Sequence, residues 1–286
     1  MDSEKGIITT QLLIIGGGPA GLSAGIEAVR LGVKVLLVDD KRRAGGQLVK
    51  QTHMFFGSKK ESAGTRGVDI ADQLIREFSD EGGEMMTGTM VIGCFDDGTV
   101  TALADDSKLL RISARKIIVA SGAYENMLVF PGCDLPGVYG AGGFQTLMNV
   151  DGVLPGKNVL MVGAGNIGLI MSYQLMQAGG NVAAVIEAIP NVGGYGVHAA
   201  KIRRMGIPIL ESHTVKSVQG RDRVESATIV KLDNFKEVPG SEFAIDVDSV
   251  CLSVGLSPLS EILASAGCRM EYVPALGRSQ NFRKRG

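Results

Sequence analysis

Short apolar runs and a segment with helical spacing alternate at the start of the chain. Leu12 to Ile15 and Val33 to Val38 are almost continuously apolar, which is typical of parallel strands buried on both faces. Between them, Pro19 to Leu31 repeats apolar residues every three or four positions, and Gly32 follows it. This pattern predicts a strand, a helix and a second strand, which ends at Asp39.

The same order of elements returns in the middle of the chain. Asn158 to Val162 predicts a buried strand, Asn166 to Ala178 a helix, and Val182 to Ile186 the next strand. Glu187 ends that strand, as Asp39 ends the earlier one. We therefore expect two copies of one strand–helix–strand unit.

Segments that alternate between polar and apolar residues follow each unit, and such alternation favours antiparallel strands. The first group is Met85 to Phe95, Thr99 to Ala104 and Lys108 to Ser113. The second group is Ile207 to Leu210, Thr214 to Val218 and Val224 to Val230. Two further buried strands are predicted at Lys116 to Ala120 and Ser249 to Val254, and two helices at Thr65 to Glu81 and Pro258 to Ala266.

This order of elements predicts an α/β protein with two Rossmann-like dinucleotide-binding domains, one inserted in the other, each with an antiparallel β-meander. The first domain begins in residues 1–123, the inserted domain takes residues 124–247, and residues 248–286 return to the first domain. A stretch rich in Gly and Pro from Tyr124 to Leu154 is predicted as the crossover between them.

Composition narrows the class of function. The net charge of −1 argues against a nucleic-acid partner, and the chain has no apolar run long enough for a membrane span. The polar N-terminus is unlike a signal peptide, and four widely spaced cysteines favour reduced thiols in the cytoplasm. Because no C-x-x-C is present, we predict neither a metal site nor a redox dithiol.

The first strand runs into glycines with G-x-G-x-x-G spacing. Gly16 suits the tight turn out of the strand, Gly18 lets the backbone approach a pyrophosphate, and Gly21 lets the helix pack closely. Asp39, about 20 residues further on, is placed to accept hydrogen bonds from a ribose. The residues predicted to hold this dinucleotide are Gly16, Gly18, Pro19, Ala20, Gly21, Asp39 and Asp40.

A second G-x-G-x-x-G follows the strand that ends at Val162, and Glu187 stands at its ribose-reading position. An acid there favours NAD over NADP, since a carboxylate repels a 2′-phosphate unless arginines intervene. The segment directly after Glu187 carries no arginine. The residues predicted to hold the second nucleotide are Gly163, Gly165, Asn166, Ile167, Gly168 and Glu187.

Two loops of small residues are predicted near the first motif. Gly45, Gly46 and Gln47 belong to a loop over the carboxyl ends of the strands, where ligands bind in open α/β sheets. The turn Ser121-Gly122-Ala123 follows a buried strand, and its small side chains let the backbone approach a cofactor closely.

With both motifs in place, the sequence resembles the flavoproteins with two dinucleotide-binding domains, namely the thioredoxin-reductase-like and pyridine-nucleotide-disulfide-oxidoreductase-like enzymes. The GGQL loop, the SGA turn and the segment FPGCDLPGVYGAGG most resemble the FAD-binding α subunits of sarcosine, proline and opine dehydrogenase or oxidase complexes. The resemblance implies FAD on the first motif and NAD, or another adenine nucleotide, on the second. It also implies that Gly46, Gln47 and Ala123 lie toward the flavin.

The resemblance further implies an oligomeric oxidoreductase subunit that moves electrons between a nicotinamide or amine-type donor, the flavin and a partner redox subunit. Without a C-x-x-C, a disulfide reductase is not expected. The sequence does not allow a catalytic acid, base or nucleophile to be named, and hydride transfer to a flavin does not require one.

One part of the family pattern is not found. The family continues with a strand and a Gly-Asp turn that bind FAD, followed by a helix, whereas this sequence stops at Gly286 after a basic tail. Three explanations stay open, of which we favour the first: a truncated or frameshifted longer protein, a separate polypeptide that supplies the segment, or a fold that closes without it and loses FAD. The alternative function is therefore a non-catalytic nucleotide-binding subunit.

Overall fold

The structure is a computed structural model that describes residues 6–95, 97–273 and 278–281, with the backbone alone at 61 and 278–281. Residues 274–277 and 282–286, which include most of the basic tail, lie outside the described residues. The chain forms two compact units. The first runs up to Tyr124 and resumes at Ser257, and the second is Glu125–Leu256.

In chain order the elements are β1 (Ile7–Ile15), α1 (Pro19–Arg30), β2 (Val35–Val38), α2 (Gly67–Asp80), β3 (Glu84–Met86), β4 (Thr89–Cys94), β5 (Thr99–Ala104), β6 (Lys108–Val119), β7 (Ala123–Glu125), β8 (Val138–Gly140), α3 (Ala141–Asn149), β9 (Asn158–Val162), α4 (Asn166–Gln177), β10 (Asn181–Glu187), α5 (Gly196–Arg204), β11 (Ile209–Glu211), β12 (His213–Gln219), β13 (Ser226–Asp233), β14 (Lys236–Glu237), β15 (Phe243–Asp246), β16 (Ser249–Leu252), β17 (Leu256–Pro258), α6 (Glu261–Ser265), β18 (Met270–Val273) and β19 (Arg278–Asn281). Short 3-10 turns lie at Gly46–Lys50 and Lys59–Glu61. Among these described residues, every helix is too short or too polar to cross a bilayer.

The first unit is built on a six-stranded sheet with the order β3-β2-β1-β6-β5-β4. Strands β3, β2, β1 and β6 are parallel, whereas β4, β5 and β6 form an antiparallel meander. Side chains of β1 alternate between two cores. Leu13 and Ile15 pack on the meander side, and Leu12 and Ile14 pack with α1 and α2. This double burial explains why the strand is apolar along its length.

Strand β6 differs from the prediction. The sequence predicted separate strands at Lys108 to Ser113 and Lys116 to Ala120, but the structure has one strand, Lys108–Val119. It stays continuous because β1 pairs along it from Ile7 with Arg111 to Ile15 with Val119. The predicted meander therefore shares β6 with the parallel strands, and the six strands form one mixed sheet.

The second unit contains a five-stranded parallel sheet with the order β11-β10-β9-β16-β8. Its second sheet is antiparallel and consists of β12 to β15. The sequence assigned Ile207 to Leu210 to this meander, but β11 pairs in parallel with β10 instead. It also placed the return to the first domain at residue 248, whereas β16 pairs with β9 and the return follows Leu256.

The predicted crossover from Tyr124 to Leu154 holds regular structure that the sequence analysis did not find. Strand β8 adds to the edge of the parallel sheet, and α3 follows it directly. Phe144 and Met148 of α3 are buried in the core beneath that sheet. The sequence did not predict the start of this helix because its first turn contains glycines, which have low helix propensity. Helix α5 was also not predicted.

Candidate functional site

The glycine turn after β1 is confined by backbone on two sides. Gly16 has φ +109°, and a Cβ there would overlap the carbonyl oxygen of Ala120. A Cβ at Gly21 would in turn overlap the carbonyl oxygen of Gly16. Both positions therefore require glycine for packing alone, and this packing brings the end of β6 beside the turn.

Helix α1 begins without a side-chain cap. Its N-cap is Gly18, with extended backbone, and Pro19 occupies the first turn. The nearest atom to a Cβ at Gly18 would be the Cα of Gly46, 3.8 Å away, so the position has ordinary room. Uncapped N–H groups and the positive end of the helix dipole favour an anion here. Ala20 is exposed in the same turn.

Asp39 is buried, with 8% of its surface exposed, and its carboxylate organises the turn. Oδ2 accepts a hydrogen bond from the amide of Gly17 at 2.6 Å, and Oδ1 accepts one from the amide of Lys41 at 2.8 Å. Each oxygen has two lone pairs, so a ribose hydroxyl can still donate to either. Asp40 is exposed and pairs with the Lys41 ammonium, which raises the pKa of that lysine.

The loop after Asp39 crosses the glycine turn. The amide of Gly45 donates to the carbonyl oxygen of Gly17 at 2.7 Å. Gly46 has φ +54°, and a Cβ there would lie 2.7 Å from the Cα of Gly18. The structure thus brings Gly46 to the helix start. Gln47 is exposed in the 3-10 turn that follows.

The turn Ser121-Gly122-Ala123 lies on the other side of Gly16. The hydroxyl of Ser121 donates to the carbonyl oxygen of Leu259 at 2.8 Å, and the amide of Leu259 donates to Gly122 at 3.0 Å. Gly122 has φ +78°, and nothing lies within 4 Å of the position of a Cβ there. Ser121 therefore uses its hydroxyl to hold the returning chain, and Ala123 begins β7.

The second glycine turn repeats this geometry. Gly163 has φ +104°, and a Cβ there would overlap the carbonyl oxygen of Ser253 at the end of β16. A Cβ at Gly168 would overlap the carbonyl oxygen of Gly163. Gly165 is the N-cap of α4, again with no side-chain cap, and no atom lies within 4 Å of where its Cβ would be.

In the second motif, Glu187 has the position that Asp39 has in the first motif. Its Oε2 accepts from the amide of Ala164 at 2.7 Å, and its Oε1 accepts from the amide of Ile189 at 3.3 Å. The amide of Gly194 donates to the carbonyl oxygen of Ala164 at 2.9 Å, as Gly45 does to Gly17. The two motifs thus share a network of hydrogen bonds as well as a spacing of glycines.

Among the described side chains, no arginine forms an ion pair with Glu187 itself, although Glu211, its register partner on β11, does pair with one. The sequence left open whether Arg203 and Arg204 come near Glu187. Arg203 pairs with Glu211 at 3.3 Å, and both arginines belong to the last turn of α5.

One carboxylate was missed by the sequence analysis. Glu125 accepts hydrogen bonds from the amides of Gly142 and Gly143 at the start of α3. This helix start is therefore occupied by the protein's own anion, unlike those of α1 and α4. The glycines of Y-G-A-G-G, which spans the end of β8 and the start of α3, were the available signal.

The part of the chain that the structure describes was also searched for metal ligands and disulfides. No group of three or more His, Cys, Asp or Glu side chains there is arranged to hold a metal ion. All four cysteines are free thiols. Burial, followed by the charge of Glu125, raises the pKa of the Cys251 thiol well above its ordinary value.

Comparisons with known proteins agree with this geometry. Residues 10–273 match the family described as pyridine nucleotide-disulphide oxidoreductase. The alpha subunit of the sarcosine oxidase of Rhizobium meliloti is 32% identical over 203 residues, which cover 66% of this chain and 20% of that protein. An opine oxidase subunit of the same organism is 27% identical, with 93% of this chain and 60% of that protein covered. These matches confirm the resemblance that the sequence motifs indicated.

A solved structure confirms the α/β class and the Rossmann-like units. The L-proline dehydrogenase from P. horikoshii aligns with a TM-score of 0.71 at 21% identity, covering 99% of this chain and 49% of that one. At this identity the match establishes the fold alone. The chain spans 20% to 60% of the length of the two relatives above.

Proposed function

The chain belongs to the pyridine nucleotide-disulphide oxidoreductase family, and on that premise we propose that it is one subunit of an FAD-dependent oxidoreductase. FAD occupies the first motif, and NAD or another adenine nucleotide occupies the second. The observation that carries this proposal is the pair of uncapped helix starts, at Gly18 and Gly165, each beside an acid that ends a strand.

The residues of the first motif fit the ADP half of FAD. The amides at the start of α1 receive the pyrophosphate, and Asp39 accepts from the ribose with its remaining lone pairs. Gly46 and Gln47 extend toward the flavin, with Ser121, Gly122 and Ala123 on the side of β6. The flavin, when bound, supplies hydride acceptance and onward transfer of electrons. The protein's part is binding and orientation.

At the second motif we propose NAD over NADP. Glu187 places a carboxylate where a 2′-phosphate would lie, and no described arginine side chain forms an ion pair with it. 5′-AMP should therefore bind more tightly than 2′,5′-ADP, which differs from it only by the 2′-phosphate, in a calorimetric titration. Glu187→Gln removes the charge and should narrow that difference. Equal affinities for the two ligands in the unaltered chain would contradict this assignment.

We further propose that the donor is a nicotinamide or an amine-type compound and that electrons pass to a partner redox subunit. The sarcosine oxidase and opine oxidase relatives are, by their names, subunits of larger oxidases. The proposed assembly is an oligomer that contains such a partner. Four free thiols favour a reducing compartment, and we propose the cytoplasm.

The test begins with the absorption spectrum of the purified chain and identification of the nucleotide that it releases. Flavin bands with FAD in the extract, together with NADH oxidation by a dye acceptor, are expected. Gly18→Asp, which places a carboxylate at the first helix start, should abolish the flavin bands. A chain that refolds with excess FAD, retains none and oxidises no NADH would instead be a non-catalytic nucleotide-binding subunit.

A further inference from the structure

The antiparallel strands β4, β5 and β6 of the first unit carry apolar side chains on both faces. Their inner face is buried in a core that includes Val100 and Ile112. The register places Met90 opposite Leu103 and Leu103 opposite Leu109, so these three side chains share the outer face. Met90 is 50% exposed and Leu109 is 63% exposed. Because an antiparallel sheet with one solvated face usually turns polar residues outward, this apolar outer face indicates a further covering layer.

Strand β4 supplies most of the exposed apolar surface. Val91 packs on the inner core, whereas Ile92, the extra residue of a bulge in β4, is 52% exposed. Phe95, directly after the strand, is also 52% exposed. A Cβ at Gly93 would lie 3.5 Å from two atoms of the Phe95 ring and 3.0 Å from Oγ1 of Thr101, so the ring lies over Gly93 on the outer face. We call this surface the β4 patch, and its members are Met90, Ile92, Phe95, Leu103 and Leu109.

The β4 patch borders an edge of the six-stranded sheet that lacks the usual protection. Strand β4 is the last strand, and no other described strand pairs with its outer edge. None of the residues Thr89–Cys94 is charged. The opposite edge strand, β3, has only three residues and begins with Glu84, which pairs with Lys34. Exposed edges are normally short or charged, as β3 is, and β4 is neither.

Helix α6 does not cover the β4 patch. Ile262 of α6 and Ala266 directly after it pack against the inner core of the meander. The side chains of the patch keep about half of their surface exposed in the presence of this helix. A layer from outside the described chain is therefore required to bury them.

From this arrangement we infer that the β4 patch is an interface between two copies of this chain. Around a two-fold axis each surface meets its own copy, so a charged side chain at the centre would face a like charge. An uncharged strand with apolar outward side chains avoids this conflict, whereas a different polypeptide would not require a neutral strand. Arg111, the charged neighbour of Thr101, belongs to β6, two strands away from the edge. The inference goes beyond the proposed function and needs no bound nucleotide.

The test is sedimentation equilibrium of the purified chain from about 1 to 100 μM, a range that covers moderate dissociation constants. The unaltered chain should reach twice the mass of a single chain. Ile92→Lys should raise the dissociation constant of the dimer by about a hundredfold or more, because like charges would be desolvated beside each other in the interface. Since Ile92 is half exposed in the separate chain, the ammonium of a lysine there reaches water and the fold should be retained.

Leu31→Lys is the matched control, since Leu31 is 82% exposed at the end of α1 and lies outside the β4 patch. It should leave the dimer intact. If Ile92→Lys lowers the melting temperature, Leu109→Lys, on β6 at the other end of the patch, gives the same decision. An unaltered chain that stays monomeric throughout, which would leave the patch to a different polypeptide, overturns the inference. A dimer that survives both patch variants also overturns it.

The absorption spectrum of each variant tests the proposed function separately. A colourless chain that forms an Ile92-dependent dimer would refute FAD binding and support this inference. A chain that retains FAD but stays monomeric would support FAD binding and overturn this inference.

Discussion

Gly165→Asp tests the helix start of the second motif without disturbing its packing. Gly165 has φ −72° and extended backbone, which any residue adopts, and no atom lies within 4 Å of where its Cβ would be. It is also the N-cap of α4, where Asp is among the preferred residues. Replacing Gly by Asp at such a cap changes stability by only a few tenths of a kcal/mol. The fold should therefore be retained.

The effect on binding should be large because the new carboxylate competes for the same amides as the pyrophosphate. Two unit charges about 4 Å apart repel by roughly 4 kcal/mol at an effective dielectric constant of about 20. That corresponds to about a thousandfold loss of ADP affinity. With full solvent screening the repulsion falls to about 1 kcal/mol, and the loss would still be about fivefold.

The assay is ADP titration by calorimetry together with the melting temperature of each variant. Gly18→Asp is the matched variant at the first motif, since a Cβ there would also meet only an ordinary contact, at 3.8 Å. We expect Gly165→Asp to lose ADP while keeping FAD, and Gly18→Asp to show the opposite. When FAD and ADP are first removed from all three proteins, both variants should melt within about 2 °C of the unaltered chain.

Two results would refute the reasoning. Unchanged ADP affinity in a folded Gly165→Asp variant would mean that the start of α4 does not receive a phosphate. A large fall in melting temperature would mean that the space around Gly165 is smaller than the structure indicates.

Three further predictions concern stability and thiol reactivity. Asp39→Ala leaves the buried amide of Gly17 without its charged partner and should lower the free energy of unfolding by about 1.5–3 kcal/mol in urea denaturation; no change would show that the bond is replaced by water. Gly168→Ala drives a methyl group into the carbonyl oxygen of Gly163 and should lower the free energy of unfolding by about 1–3 kcal/mol, whereas unaltered stability would contradict the close packing. Cys251 should resist a thiol reagent at pH 8 until the chain is denatured, because burial raises its pKa; fast native modification of this residue would oppose that. The two partly exposed cysteines that should react first are Cys133 and Cys268.

Local sequence patterns were sufficient to predict the elements around the two glycine motifs. Strand β9 has the predicted bounds, and α1 and α4 end within one residue of their predictions, because apolar periodicity and glycine spacing are local properties. The acids at Asp39 and Glu187 follow from the same spacing. What the sequence could not show is that their carboxylates also bind the amides of Gly17 and Ala164.

Long-range pairing explains most of the differences. Strand β6 is one continuous strand because it pairs with β1, whose residues are distant in the chain. The periodicity of a sequence does not show which distant strands pair. Strand β11 has too few residues to distinguish a parallel from an antiparallel partner by pattern. Glu125 reached the start of α3 through tertiary structure, and the glycines that begin this helix resembled a loop.

The pairing of β1 with β6 also affects the order in which parts of the chain fold. Contacts between distant residues, such as Ile7 and Arg111, form more slowly than the neighbouring hairpins β4–β5 and β5–β6. Moreover, the first unit resumes at Ser257, after the second unit has been completed as one continuous segment. During synthesis, the second unit should therefore fold while the first unit still lacks the segment that begins at Ser257. Chaperone dependence and aggregation should accordingly concentrate in the first unit, which is completed only after the second unit has been made.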